Sequence, residues 1–80
     1  MSNHCVDKAG HMMATFAGNL NRLMDEQGLS AWRLSVLAGV SESSIGYWRR
    51  GQTLPNNVNL ERLAKALGVG LWELMEEEKK

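Results

Sequence analysis

Apolar residues recur along this chain in helical steps, with polar residues filling the intervals. Phe16, Leu20, Leu23 and Met24 share one face, with Asn19, Asn21, Arg22, Asp25 and Glu26 elsewhere around the turn. This predicts an amphipathic helix from about Thr15 to Gln27, ended by Gly28, with Leu29 tucking back into the core. Leu34 and Ala38 then fall one turn apart, Val40 follows at once, and Ile45 and Trp48 continue the pattern. They predict a helix over Ala31–Ala38 and another over Glu42–Arg50. The stripe Leu60, Leu63, Ala64 and Leu67 predicts a fourth helix, capped by Asn56 or Asn57 and stopped by Gly68. Val69 packs at the next corner, and Leu71, Leu74 and Met75 define a short fifth helix. No alternating strand pattern and no two-residue hairpin turn occurs, so the fold class is all-α, a compact five-helix domain.

The stretch Ser30–Gly51 organises the rest. Gly39 gives the backbone freedom to end one helix in a left-handed conformation, and Val40 plugs the corner that follows. Ser30 and Ser41 are good N-caps for the helices on either side of it. Small Ser35 stands where the second of the pair crosses the first. Two short helices meeting at a sharp corner form a helix-turn-helix, whose second helix can enter a DNA major groove. Gly51 ends that helix, and Gln52 to Asn57 is a loop whose exit Pro55 constrains.

The residues GLS, AWRLS, VLAGVS, ESSIGYWRRG and QTLP, followed by LERLAKALGVGLWEL, resemble the DNA-binding domain of phage repressors and Cro-like (XRE-type, lambda-repressor-like) regulators. The resemblance runs ungapped through the motif and covers about Phe16 to Met75. It implies that Glu42, Ser43 and Tyr47 occupy base-reading positions. Two departures stand out. Ala31 lies where the family often has a glutamine that contacts phosphate, and Arg49 lies where it often has glutamate.

Eighty residues allow one domain with a small core. Residues 1–14 are polar and without sustained periodicity, which predicts a mostly disordered arm, with the domain over 15–76 and a charged tail over 77–80. Gly10-His11-Met12 resembles a cloning scar, and a natural N-terminal arm is the other reading. No long apolar run predicts a membrane span, and the N-terminus lacks the basic and apolar regions of a secretory signal. The single cysteine, Cys5, cannot form an internal disulfide, which fits the cytoplasm. The net charge of zero is unusual for a protein that meets phosphates. Its distribution helps: Arg33, Arg49 and Arg50 face only Glu42 between Ser30 and Pro55, while Glu73, Glu76, Glu77 and Glu78 cluster near the end. A basic face with a distal acidic end makes an oriented field.

With Ile45 and Trp48 turned inward, the groove-facing set is Glu42, Ser43, Gly46 and Tyr47, with Arg50 toward the end. Glu42 could accept from cytosine N4, or simply complement the positive end of the helix dipole, worth about 0.3–1 kcal/mol. Gly46 costs about 1 kcal/mol relative to alanine in a helix interior, which points to close approach of the backbone to DNA, room for Tyr47, or an unoptimised site. Ser30, Arg33, Ser44, Arg49, Arg50, Gln52 and Thr53 form the expected phosphate-contacting rim. Outside such a motif, Arg49 and Arg50 would read as a solvated helix end.

Trp48 is expected in the core, whereas Trp32 and Trp72 fall at exposed helix positions. Leu71, Trp72 and Met75 are the candidate dimer contact, distal to the recognition helix. His4, Cys5 and His11 match no metal-ligand spacing, and neither a cofactor nor catalysis is expected. The function so predicted is a sequence-specific double-stranded-DNA-binding transcription regulator, a repressor acting as a homodimer on a palindromic operator. The rival readings are an antitoxin contacting a toxin through Trp32 or Trp72, and an interaction module that has lost DNA binding.

Overall fold

The computed structural model describes residues 8–77, which form five α-helices in the order α1 (Lys8–Gln27), α2 (Ala31–Ala38), α3 (Glu42–Arg49), α4 (Asn57–Leu67) and α5 (Leu71–Met75). Among the described residues there is no strand. Phe16, Leu20, Leu34, Ile45, Leu63 and Leu74 are wholly buried, one or more from every helix, and together with Met24 and Trp48 they make a single core. α1 packs on α3 and α5, α2 packs on α3 and α4, and α4 also meets α5.

The corners are built as the sequence requires. The Ser30 and Ser41 hydroxyls accept from the backbone N–H of Arg33 and Ser44, each at 3.1 Å, satisfying one free donor at each helix start. Asn56 rather than Asn57 caps α4, its Oδ1 accepting from Asn59 N–H at 2.8 Å. Gly39 has φ +73°, a conformation that any side chain would strain, and its N–H closes α2 onto the Ser35 carbonyl. Arg62 of α4 donates to the Gly39 carbonyl, so the turn between the two motif helices is held from outside as well.

Three expectations change. α1 begins at Lys8, well before Thr15, so residues 8–14 are helical where a disordered arm was expected. The reason is packing: Met13 is half-buried, in register with Phe16 and Leu20, and the turn around Met13 and Ala14 lies against Gly51 at the end of α3. α3 stops at Arg49, with Arg50 as its C-cap. Asn19, assigned to the polar side of α1, is instead 3% exposed and points into the core. Its Nδ2 donates to the carbonyls of Leu74 at 2.7 Å and Glu76 at 2.8 Å, which terminate α5 and would otherwise lack partners. His4 and Cys5 lie outside the described residues, as do residues 78–80 of the tail; His11 is on α1, paired with Glu77.

Candidate nucleic-acid interface

Ile45 and Trp48, at 0% and 4% exposure, pin one side of α3 to the core. The opposite side is therefore turned outward along its whole length, and Glu42, Ser43 and Tyr47 are exposed there. Together with Gly46 and Arg50 they line one open concavity, so the sequence-predicted reading set comes together as a single surface. A second concavity adjoins it, lined by Asn21, Ala31, Gly46, Arg49 and Arg50, and runs from α3 across the start of α2 to the middle of α1.

Two adjacent arginines at the end of α3 leave in different directions. Arg49 turns toward α1, where its Nε donates to Asn21 Oδ1 at 2.5 Å and Asn21 Nδ2 donates back to the Arg49 carbonyl at 3.0 Å. Arg50 turns along its own helix, with its guanidinium carbon 5.3 Å from the centre of the Tyr47 ring. Neither forms an ion pair with a carboxylate among the described residues, so both charges remain available to an anionic partner.

The remaining rim residues divide. Arg33, Gln52 and Thr53 are exposed, as is Ser30, whose hydroxyl is already engaged as a cap. Ser44 is half-buried, and its hydroxyl accepts from Ser41 at 2.8 Å, so its first role is closing the turn. Ala31 is half-buried against the core and leaves the start of α2 without a polar side chain at that position. Asn21 was missed as a member of this surface. Its polar character on α1 was visible, but nothing in the spacing showed that α1 crosses α3 beside Arg49.

Away from this surface, Trp32 and Trp72 are 62% and 64% exposed, while Trp48 is in the core. Val36 and Leu37 join Trp32 as exposed apolar residues of α2. On α5, Leu71 and Trp72 are exposed and Met75 is half-buried against the core. Among the described residues no cluster of His, Cys, Asp or Glu could hold a metal ion. No helix there is long and apolar enough to cross a membrane.

The helix-turn-helix family model HTH_3 matches residues 20–74. The restriction-modification controller protein C.AhdI from Aeromonas hydrophila is similar at 35% identity and a TM-score of 0.74, over 78% of this chain and 94% of that one. An HTH_3 family transcriptional regulator from Vibrio cholerae is similar at 25% identity and a TM-score of 0.79, over 84% of this chain but 38% of that longer one. A hypothetical transcription factor, NHTF, from Neisseria shares the fold, with a TM-score of 0.78 at 24% identity over 82% of this chain and 76% of that one. No curated protein sequence matches significantly. The match spans most of the chain and takes in the whole of α2, the corner and α3: the protein belongs to the HTH_3 (XRE-type) helix-turn-helix family and is a DNA-binding regulator.

Proposed function

We propose that the protein is a repressor that binds a palindromic operator as a homodimer in the cytoplasm and blocks a promoter by occupying it. The observation that carries this is the outer face of α3, where Glu42, Ser43, Gly46 and Tyr47 form one open surface backed by a buried Ile45–Trp48 side. Such a helix enters the major groove with its outward side chains at base edges. Arg33, Arg49, Gln52 and Thr53 flank it as phosphate contacts, and the N-terminus of α2 at Ser30 adds a favourable dipole.

Dimerisation through α5 is supported by exposed Leu71 and Trp72, on a helix that packs against α1 and α4 while α3 packs against α1 and α2. Two copies joined there would present two recognition helices to successive major grooves about 34 Å apart. C.AhdI is almost entirely this fold, which supports regulation carried by the domain itself. A modest charge balance makes pairing of two weak half-site contacts the expected source of affinity.

Titration of promoter-derived and random duplexes at rising salt tests this reading. Preferential binding of one palindrome, with log affinity falling linearly in log salt, is the expected result. Equal binding to every duplex would remove the operator, and no binding would leave a protein-interaction module.

A second reading, an antitoxin, is favoured by the outer face of α2, where Trp32, Val36 and Leu37 expose more apolar surface than DNA contact needs. Co-purification of a small toxin that buries Trp32 or Trp72, read by tryptophan fluorescence, would establish it.

A further inference from the structure

We infer that Arg50 is a base-reading residue of this interface, specific for guanine, seated on Gly46 and backed by the ring of Tyr47. Its place at the end of α3, next to Arg49, would make it a phosphate contact by position alone. The side-chain geometry points elsewhere. Helical side chains lean toward the helix N-terminus, and that lean carries the Arg50 guanidinium back over the preceding turn. A Cβ on Gly46 would stand 3.4 Å from Arg50 Nη1 and 3.8 Å from Nη2, in van der Waals contact, so the guanidinium lies in the space that a side chain longer than alanine's would fill. It therefore sits over the middle of the exposed face and shares its concavity with Glu42 and Ser43.

Gly46 thereby acquires a purpose. A glycine in the middle of a helix weakens it relative to alanine, and the atoms nearest to the missing side chain are those of the Arg50 guanidinium. Tyr47 supplies the second wall, its ring 5.3 Å from the guanidinium carbon, close enough for a cation–π contact that limits how the fork can turn. Glu42 lines the same concavity but forms no ion pair with Arg50, so the fork is not neutralised. A planar fork presented edge-on to the major groove matches the paired acceptors O6 and N7 of guanine. Arg49, held toward α1 by Asn21, is left to contact phosphate.

This assignment rests on α3 entering the major groove. The test is selection of bound duplexes from a randomised library, followed by affinity measurements on the selected site and its single-base variants. Wild type, Arg50→Ala, Arg50→Lys, Gly46→Ala and Gly46→Leu are compared, each checked for folding by circular dichroism. The selected half-site is expected to contain a guanine whose replacement weakens wild type about 5- to 150-fold. Arg50→Ala should lose that one preference and keep the others, and Arg50→Lys should recover it only in part. Gly46→Leu should shrink the guanine preference several-fold, because its longer side chain displaces the fork, whereas Gly46→Ala, whose methyl only touches the fork, should keep the preference and raise Tm by about 4–8 °C. If wild type selects no common site, the groove reading falls and this assignment with it. If wild type selects a site but Arg50→Ala weakens every duplex equally, Arg50 is a phosphate contact and only this assignment falls. Retention of full guanine preference by Gly46→Leu would likewise overturn the seat.

Discussion

Asn21 and Arg49 exchange two hydrogen bonds across the junction of α1 and α3, side chain to side chain in one direction and side chain to backbone in the other. The family resemblance places glutamate at the position of Arg49, so this chain carries a positive charge where a negative one is common. The amide of Asn21 suits that reversal, because it accepts from the guanidinium and donates to the carbonyl without adding a charge of its own. Arg49 remains exposed and lines, with Ala31 at the start of α2, the concavity between the helices.

Replacing Arg49 with alanine should therefore weaken binding to all duplexes alike and lower the slope of log affinity against log salt by about 1. Asn21→Ala should act in the same direction but more weakly, since it frees the guanidinium instead of removing it. In the Arg49→Ala background, Asn21→Ala should have no further effect on affinity, a result read from a double-mutant cycle. Additive losses would mean that Asn21 touches DNA on its own account.

Asn19 predicts a different kind of loss. Its amide group is buried and satisfies the two carbonyls that close α5, so Asn19→Ala leaves a small void and two acceptors without partners. Destabilisation of about 2–3 kcal/mol in urea unfolding is expected. The loss should be concentrated at α5, where amide exchange in the native state accelerates more than in α2 or α3. A purely global effect would argue against a clamp.

The scaffold was legible because few residue types can serve its corners. Gly39 between Ala38 and Val40, serine at both N-caps, and Ile45 with Trp48 at helical spacing admit one local geometry. The outward face of α3 was legible as a set for the same reason: once Ile45 and Trp48 are inward, Glu42, Ser43, Gly46 and Tyr47 must be outward. Harder to see was anything that depends on how distant helices cross. Asn19 and Asn21 differ by two positions on α1 and are both asparagine, yet one is buried beneath α5 and the other borders the concavity beside Arg49 and Arg50. Spacing alone separates them, since Asn19 lies three residues after Phe16 and four before Leu23, but its polar type put it with Asn21 on the other side. The early start of α1 escaped for a related reason. Lys8–Ala14 has little apolar pattern of its own, and it is the contact with Gly51, remote in sequence, that gives this turn something to pack on.

Gly39 allows a stability prediction that leaves the interface chemistry untouched. Its φ of +73° lies in the left-handed region, and the nearest atom to an added Cβ is the mobile end of Arg62 at 4.0 Å. Space is therefore available and only backbone strain opposes a side chain. Gly39→Ala should lower stability by about 1–2 kcal/mol. For an 80-residue chain that is a fall in Tm of roughly 5–15 °C. At temperatures where the variant is folded, DNA affinity should stay within about twofold of wild type, since the corner is restored once the strain is met. A much larger loss of affinity at unchanged stability would mean that the angle between α2 and α3 had shifted.

The proposed dimer would be held through α5. A Cβ at Gly70 would meet Trp72 Nε1 at 2.8 Å, so the glycine lets the indole lie back over the start of the helix while the ring remains 64% exposed. Beside it, Leu71 edges a shallow apolar floor made by Ala64 and Val69, with Glu61 and Lys65 on its rim. Aromatic and aliphatic anchors with a charged rim are what a small self-association surface requires. Leu71→Glu combined with Trp72→Ala should convert a dimer to a monomer in sedimentation equilibrium, with Tm unchanged when both proteins are compared as monomers at low concentration. The monomer should still bind an isolated half-site with wild-type affinity, but lose at least tenfold on the full palindrome because the two half-sites are no longer linked. If instead the double variant keeps its mass and its palindrome affinity, the partner-facing surface lies elsewhere, and the exposed Trp32–Val36–Leu37 face of α2 is the next to be mutated.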